Sequence, residues 1–164
     1  MDMRRVRGVG KVSEAVVVDA PLAEVWDFYF EPETWPAWVD QFARVESSDG
    51  YPDAGGTLRW QSGAAGRGEV TEKVLVHEPR TRHRISFRDP ESEGELEVRF
   101  SIEPGGGTGR TKVEQELEYS ITSGGALSAL TDVLFVRSQM RRSLQRSLGR
   151  LRAEVMDAAR ASPG

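Results

Sequence analysis

The order of predicted elements constrains the fold of this chain more than any single motif does. An alternating strand pattern at residues 11–19 leads into a short amphipathic helix near Pro21, and two prolines then break the chain around Trp35 and Trp38. Strand patterns follow one another with turn signals between them, and one long helical pattern, residues 126–159, closes the chain. Short connections favour antiparallel pairing. The sequence therefore predicts a curved antiparallel sheet with one long helix across its open face.

The later strand patterns cover residues 57–61, 67–78, 82–88, 94–103 and 110–121. Their apolar side chains alternate with charged ones, so one face of the sheet should be covered and the other wet and charged. Asp19 is the expected cap of the first helix. The long helix should span about 45–50 Å. Its apolar stripe consists of Leu130, Val133, Leu134, Met140, Leu144, Leu148, Leu151 and Val155.

Length and composition limit the possible classes of protein. The 164 residues fit one domain, predicted at residues 12–160 behind a basic flexible tail at residues 1–11. A net charge of −4 gives no reason to expect nucleic acid as a partner. The absence of cysteine excludes disulfides and thiolate metal sites. No apolar run is long enough to span a membrane. We expect a cytoplasmic bacterial protein without cofactor or metal.

Two stretches of the chain carry a family resemblance. The pattern VxVDAPLAEVWDFYFEPETWPAWVDQF near the start and SLQRSLGRLRAEV near the end resemble the START-like polyketide cyclase/dehydrase superfamily (SRPBCC). The resemblance covers nearly the whole domain and implies the α+β helix-grip fold: a seven-stranded antiparallel sheet, two short helices and a long C-terminal helix around a hydrophobic cavity. Members bind sterols, lipids, quinones or polyketide intermediates, and some cyclise or dehydrate them. The family has no fixed set of catalytic residues, so the resemblance assigns none to this chain.

A charge within the apolar stripe of the long helix is the first candidate for a site. Arg137 lies between Val133 and Met140 on the helical wheel, where an unpaired guanidinium would cost several kcal/mol if buried. It could anchor the polar head of a ligand. An internal ion pair, or a side chain that reaches to the cavity mouth, would explain it equally well.

Four other polar residues fall in phase with the covered face of the sheet. Glu72 is a candidate general base or partner for Arg137, unless a local bulge turns it outward. His83 suits proton transfer, although a satisfied wall residue is the commoner outcome. Gln115 and Tyr119 could orient a carbonyl or hydroxyl group of a ligand, or could satisfy each other.

The predicted pocket also includes Met140 and five aromatic residues: Trp35, Trp38, Trp60, Phe87 and Phe100. These side chains would hold an apolar ligand, and plain core packing is the alternative explanation.

His77 and His83 are expected on different faces of the sheet, which argues against a zinc site. The basic face of the long helix could touch an anionic membrane, but a solvated face is expected: Arg141, Arg142, Arg146, Arg150 and Arg152.

These observations favour a binding protein that carries or sequesters a hydrophobic small molecule, lipid-like, aromatic or polyketide-like, in an internal cavity. The alternative is a polyketide aromatase/cyclase or dehydratase that uses Glu72 or His83 for proton transfer. The oligomeric state is not predicted.

Overall fold

The structure is a computed structural model that describes residues 7–63, 68–105, 109–122 and 130–161. Its strands are β1 Arg7–Val18, β2 Phe42–Asp49, β3 Thr57–Ser62, β4 Glu69–Glu78, β5 Arg82–Arg88, β6 Ser92–Ile102 and β7 Thr111–Ile121. Its helices are α1 Leu22–Tyr29, α2 Trp35–Trp38 and α3 Leu130–Ala161, and a single 3₁₀ turn, Pro32–Thr34, precedes α2.

All seven strands form one antiparallel sheet in the order β1-β7-β6-β5-β4-β3-β2. The predicted helix-grip architecture is therefore confirmed. β2 carries no alternating pattern of burial, which is why periodicity did not predict it. β1 begins earlier than expected, because residues from Arg7 onward pair with β7. That part of the predicted tail is thus a strand, whereas residues 1–6 lie outside the described residues.

The first helix is held by its apolar face. Val25, Trp26 and Tyr29 are buried against the sheet, as their helical spacing predicts. The predicted cap is wrong: the helix starts after Pro21, whose carbonyl accepts the first helical bonds, and no described side chain caps this end. Proline fixes its own φ at a value suited to the start of a helix, so the turn forms without Asp19.

The long helix buries its predicted stripe only in its second half. Leu144, Leu148, Leu151 and Val155 are buried, whereas Leu134 is 55% exposed. The helix packs on β1 and α2, and these elements cover its later turns. Full burial therefore starts at Leu144, and the predicted first turn at residues 126–129 lies outside the described residues.

Cross-strand ion pairs cover the outer face of the sheet. Arg84 pairs with Glu95, and Arg82 Nη1 lies 3.2 Å from Glu97 Oε1. Pairs between exposed side chains, such as Arg84 and Glu95, contribute little to stability, about 0–1 kcal/mol each, whereas Glu97 is itself buried. Their main consequence is to keep this face in water, so that the opposite face is the one that lines a core.

Candidate ligand-binding cavity

A cavity of about 140 Å³ lies between the covered face of the sheet and the helices. Every strand except β1 contributes to its wall, together with α1, α2 and α3. Its lining is mostly apolar: Trp35, Trp38, Val39, Phe42, Trp60, Val70, Ile85, Phe87, Leu96, Val98, Leu117 and Leu144. The polar or amphipathic lining residues are Tyr29, Asp40, Tyr51, Glu72, His83, Gln115 and Ser147.

Hydrogen bonds fix the three tryptophans of the cavity wall. Trp35 Nε1 donates to the Tyr29 carbonyl at 2.8 Å, and Trp38 Nε1 donates to Thr34 Oγ1 at 3.1 Å. Trp60 Nε1 donates to Glu72 Oε2 at 2.6 Å. Because each indole N–H has a partner at the rim or wall, the apolar ring faces remain available to the cavity.

A polar cluster occupies one part of this apolar wall. Gln115 Nε2 donates to Tyr29 Oη at 2.9 Å. Burial raises the pKa of Tyr29, the hydrogen bond from Gln115 opposes this rise, and the negative charge of Glu72 adds to it. Burial and the same carboxylate raise the pKa of Tyr51 well above its usual value. Both phenols therefore stay protonated, and Glu72 supplies the local negative charge.

Two histidines meet at the edge of the cavity, contrary to the prediction. His77 Nδ1 and His83 Nδ1 lie 2.9 Å apart. The expected alternation fails because the register between β4 and β5 shifts between Val74 and Val76, which turns His77 to the face of His83. Among the described residues no cluster of three or more His, Cys, Asp or Glu is placed to hold a metal ion.

Aromatic rings enclose this histidine pair. His83 has ring contacts with Phe30 and Tyr51, and His77 contacts Phe30 and Trp26. Burial lowers the pKa of His83 to about 3, with a smaller contribution from His77, and burial also lowers the pKa of His77. His83 is therefore neutral near pH 7 and is a weak base.

Two buried polar atoms of the cavity residues lack a partner. His83 Nε2 and Gln115 Oε1 form no hydrogen bond with any residue that the structure describes. Buried polar atoms of native proteins are nearly always paired, so each such atom requires an explanation. Both atoms belong to residues of the cavity wall, and each atom is itself almost inaccessible to solvent.

A cluster of polar contacts around Asp40 joins the end of α2 to α3. Arg146 donates to both carboxylate oxygens of Asp40 at 3.0 Å, and Ser143 Oγ donates at 2.9 Å. The Asp40 backbone N–H donates to Ser147 Oγ at 2.9 Å. Burial acts to raise the pKa of Asp40, but the hydrogen bonds from Arg146 and Ser143 outweigh it and hold this pKa below its usual value. This acidic residue has no sequence signature, because its partners lie more than 100 residues away.

The structure brings seven of the predicted site residues to the cavity wall: Trp35, Trp38, Trp60, Glu72, His83, Phe87 and Gln115. Phe100 is buried outside the cavity, against Trp26 and Tyr29. Tyr119 is also buried elsewhere, with its ring over Gly10, where an added Cβ would come within 2.3 Å of it. Alternation identified the covered face but not how far along that face the cavity extends.

Arg137 and Met140 do not line the cavity either. The Arg137 side chain is exposed; burial raises the pKa of Tyr119, and the charge of Arg137 offsets part of that rise. Met140 is half-buried beside the core. Both lie before Leu144, where the described side chains of α3 from residue 133 onward are exposed or half-buried. The guanidinium therefore reaches solvent and needs no buried partner.

Most arginines of the basic face contact the domain itself. Arg141 Nε lies 3.7 Å from Glu14 Oε1, Arg150 Nη1 lies 3.6 Å from Asp40 Oδ1, and Arg152 Nε donates to the Val17 carbonyl. With Arg146 also bound to Asp40, the face helps attach α3 to β1 and α2. None of the helices that the structure describes combines the length and apolar character needed to cross a membrane.

Sequence reasoning missed Tyr29 and Tyr51 as cavity residues. Tyr29 could have been found, since it lies on the apolar stripe of α1 and carries a hydroxyl group that a core position must satisfy. Tyr51 lies in the connection between β2 and β3, where periodicity carries no signal. Only the folded chain brings it beside His83.

A long helix held by a seven-stranded antiparallel sheet, with an apolar cavity between them, defines the helix-grip class of proteins. Within that class the chain belongs to the family described as polyketide cyclase / dehydrase and lipid transport, whose model matches residues 9–156. The family resemblance of the sequence is thereby confirmed. No curated protein matches the sequence at a significant level.

Three solved structures illustrate the similarity of fold. Zhui aromatase/cyclase from Streptomyces sp. R1128 superposes with a TM-score of 0.78 at 16% identity, covering 95% of this chain and 99% of its own. A START superfamily protein from Mycobacterium smegmatis has a TM-score of 0.71 at 13% identity, covering 90% and 98%. Norcoclaurine synthase from Thalictrum flavum, in complex with dopamine and hydroxybenzaldehyde, has a TM-score of 0.67 at 11% identity, covering 98% and 92%. At these identities the likeness establishes the fold alone.

Proposed function

We propose that this protein binds a hydrophobic small molecule, aromatic in the part that is buried, and carries or sequesters it. The observation that carries this proposal is the cavity of about 140 Å³, apolar over most of its wall and polar in one region. Such a combination is typical of small-molecule sites. An engineered apolar cavity of about 150 Å³ in another protein binds benzene, so one aromatic ring fits this volume. A lipid-like or polyketide-like ligand would bury one ring or one end here.

The chain contains its own control for a binding test. Trp35, Trp38 and Trp60 line the cavity, whereas Trp26 packs outside it against Phe30 and Phe100. We expect toluene, titrated into ¹⁵N-labelled protein, to shift the indole N–H signals of the three lining tryptophans more than the Trp26 signal. Native mass spectrometry after gentle purification, followed by solvent extraction, would show whether a ligand co-purifies. Toluene that leaves the three lining signals unchanged would refute the proposal.

A second candidate function is dehydration or cyclisation of a bound polyketide. It is favoured by the presence of Glu72 and His83 in the same cavity wall. A base works best when its pKa lies near the working pH, so His83, with a pKa of about 3, is poorly suited. Glu72 is then the base: it would take a proton from the carbon beside a carbonyl, and the carboxylic acid so formed would return that proton to the β-hydroxyl group as the C–O bond breaks, so that water leaves and a C=C bond forms.

The dehydration candidate is tested with 4-hydroxy-4-phenylbutan-2-one, a one-ring β-hydroxyketone. Loss of water would give the conjugated enone, which absorbs at longer wavelength. The control is Glu69→Gln, on the exposed face of the same strand. If Glu72→Gln abolishes turnover and Glu69→Gln retains it, the dehydratase function is supported. If water loss is no faster with the protein than in buffer, the dehydration candidate is rejected and the binding function is the one that stands.

A further inference from the structure

We propose that residues 39–41, here called the gate segment, open and close the cavity, and that the ion pair of Asp40 with Arg146 keeps this segment closed. This inference rests on the proposed binding function and assigns the route by which a ligand enters and leaves. Three features support it: the place of the gate segment in the cavity wall, the polar contacts that attach it to α3, and the backbone conformation of Gln41.

The gate segment is a part of the cavity wall that belongs to neither a helix nor a strand. α2 ends at Trp38, and β2 begins at Phe42. Val39 and Asp40 line the cavity, and both residues are half-buried, so they lie between the cavity and solvent. The wall formed by the sheet can open only if hydrogen bonds between strands break. The gate segment can move without separating a pair of strands.

An ion pair crosses this wall from the cavity to solvent. The Asp40 side chain is 7% exposed, whereas the side chains of Arg146 and Arg150 are 42% and 51% exposed. Arg146 donates from Nε and from Nη2 to the two carboxylate oxygens at 3.0 Å, and Arg150 Nη1 lies 3.6 Å from Oδ1. Separating a buried ion pair is costly, but these guanidinium groups already have access to water. The pair can therefore open at a lower free-energy cost than a fully buried pair.

Two serines of α3 add polar contacts to the gate segment. Ser143 Oγ donates to Asp40 Oδ2, and the Asp40 backbone N–H donates to Ser147 Oγ, both at 2.9 Å. Ser147 itself lines the cavity, so these contacts close the wall between the gate segment and α3. When the segment moves away from α3, water can replace each partner, and these polar groups keep a hydrogen bond.

The backbone of Gln41 gives the gate segment a second arrangement. Its φ of 60° lies in the left-handed region, which is uncommon for a residue other than glycine. Such a conformation persists where surrounding contacts hold it. The Gln41 carbonyl accepts a hydrogen bond from the Gly63 N–H at 2.6 Å, and the preceding residue, Asp40, is held on α3. Once Asp40 separates from Arg146, a change of φ at Gln41 moves Asp40 away from α3 and opens the wall.

The first experiment measures how fast toluene enters and leaves the cavity. Association and dissociation rate constants are obtained at pH 7 from the exchange broadening of the indole N–H signals of the lining tryptophans. We expect Arg146→Gln to raise both rate constants about tenfold, as expected for one hydrogen bond to a charged group, because opening no longer requires this pair to separate. The dissociation constant should change by less than about threefold, because Arg146 does not line the cavity and the closed state binds toluene as before.

The matched control for the rates is Arg142→Gln. Arg142 lies one helical turn before Arg146 in α3, is exposed, and forms no ion pair with a residue that the structure describes. Its rate constants should stay within about twofold of the parent protein. Unchanged rates in Arg146→Gln, equal acceleration in both variants, or a weaker affinity with an unchanged association rate would each overturn the inference.

Hydrogen exchange tests the gate in the unaltered protein. At low urea concentrations the Asp40 amide should exchange by local opening, at a rate that urea does not change. The Val113 amide, in β7 between β1 and β6, should exchange by global unfolding, at a rate that rises with urea. If the two amides share one urea dependence, the gate segment does not open separately and the inference is overturned. If toluene does not bind, the proposed binding function fails, and the exchange of the Asp40 amide still decides whether the gate segment opens.

Discussion

At the scale of single residues, His83 shows how its surroundings set the chemistry of a side chain. The same imidazole in water would titrate near pH 6.5. Here Phe30 and Tyr51 contact its ring, and its pKa is about 3. Covered-face alternation predicted that His83 points inward, but not its protonation state. That state follows mainly from burial, with a smaller contribution from His77, which a register shift in β4 brings to the same face.

The lowered pKa of His83 predicts a loss of stability in mild acid. Between its folded pKa of about 3 and its unfolded value near 6.5, the unfolded chain binds the extra proton, so stability is full above pH 6.5 and falls as the pH drops through this window. For this residue the loss between pH 8 and pH 5 is about 2 kcal/mol. Urea denaturation at pH 8 and at pH 5 measures the loss of stability between them. We expect this loss to be smaller in His83→Phe than in the parent protein by about 2 kcal/mol. Parallel losses in the two proteins would contradict the assignment.

At the scale of elements, Asp40 links the short helix α2 to the long helix α3. Its carboxylate receives hydrogen bonds from Arg146 and Ser143, and its backbone N–H donates to Ser147. α2 has only four residues and cannot hold its position by its own hydrogen bonds. The contact therefore fixes one wall of the cavity, including Trp38 and Leu144.

Asp40→Asn should destabilise the protein by about 1–2 kcal/mol, because it removes the charge of a buried carboxylate that is paired with both Nε and Nη2 of the more exposed Arg146. The matched control is Asp157→Asn, since Asp157 is exposed and its ion pair among the described residues is with Arg160 of the same helix. The control should stay within about 0.5 kcal/mol of the parent protein. Urea denaturation at pH 7 measures both changes.

The lowered pKa of Asp40 adds a dependence on pH. Its stabilisation is full above the unfolded pKa of the carboxyl group and is lost as the pH falls through the lower folded value. The difference between parent and Asp40→Asn should therefore shrink below about pH 4. A difference that stays constant down to pH 3 would show that the carboxylate charge is not what holds α2.

Across the domain as a whole, the cavity is a volume that the surrounding side chains do not fill. Protein interiors are normally close-packed. Side chains that filled this volume of about 140 Å³ would make additional contacts and stabilise the folded chain. Two buried valines allow a direct comparison. Val70 lines the cavity, whereas Val113 is equally buried in the packed core outside it.

Val70→Leu should extend into the cavity, stabilise the protein by about 0.5–1 kcal/mol and weaken toluene binding several-fold. Val113→Leu has no such space and should destabilise by about 1–3 kcal/mol. Thermal denaturation and the toluene titration measure both effects. Equal destabilisation by the two substitutions would show that the cavity is closed in solution.

The architecture and the covered face of the sheet could be predicted from patterns along the chain. Spacing along α1 and alternation in β5, β6 and β7 are local properties, and they identified the inward side chains of His83, Gln115 and Phe87. These patterns did not predict β2, whose burial does not alternate, nor the meeting of the two histidines, which needs a shift of register between strands. Within a regular strand or helix, the position in the sequence predicts the direction of a side chain, because the backbone repeats every two residues in a strand and every 3.6 in a helix.

The position of the cavity along the covered face depends on how elements that are distant in the chain pack together. Phe100, Tyr119 and Gln115 all face inward, yet only Gln115 reaches the cavity, because α1, α2 and the later turns of α3 set its limits. Arg137 has the spacing of the apolar stripe of α3, but its side chain is exposed. The position of one element relative to another depends on contacts between residues far apart in the chain, such as Asp40 with Arg146, and periodicity does not record them.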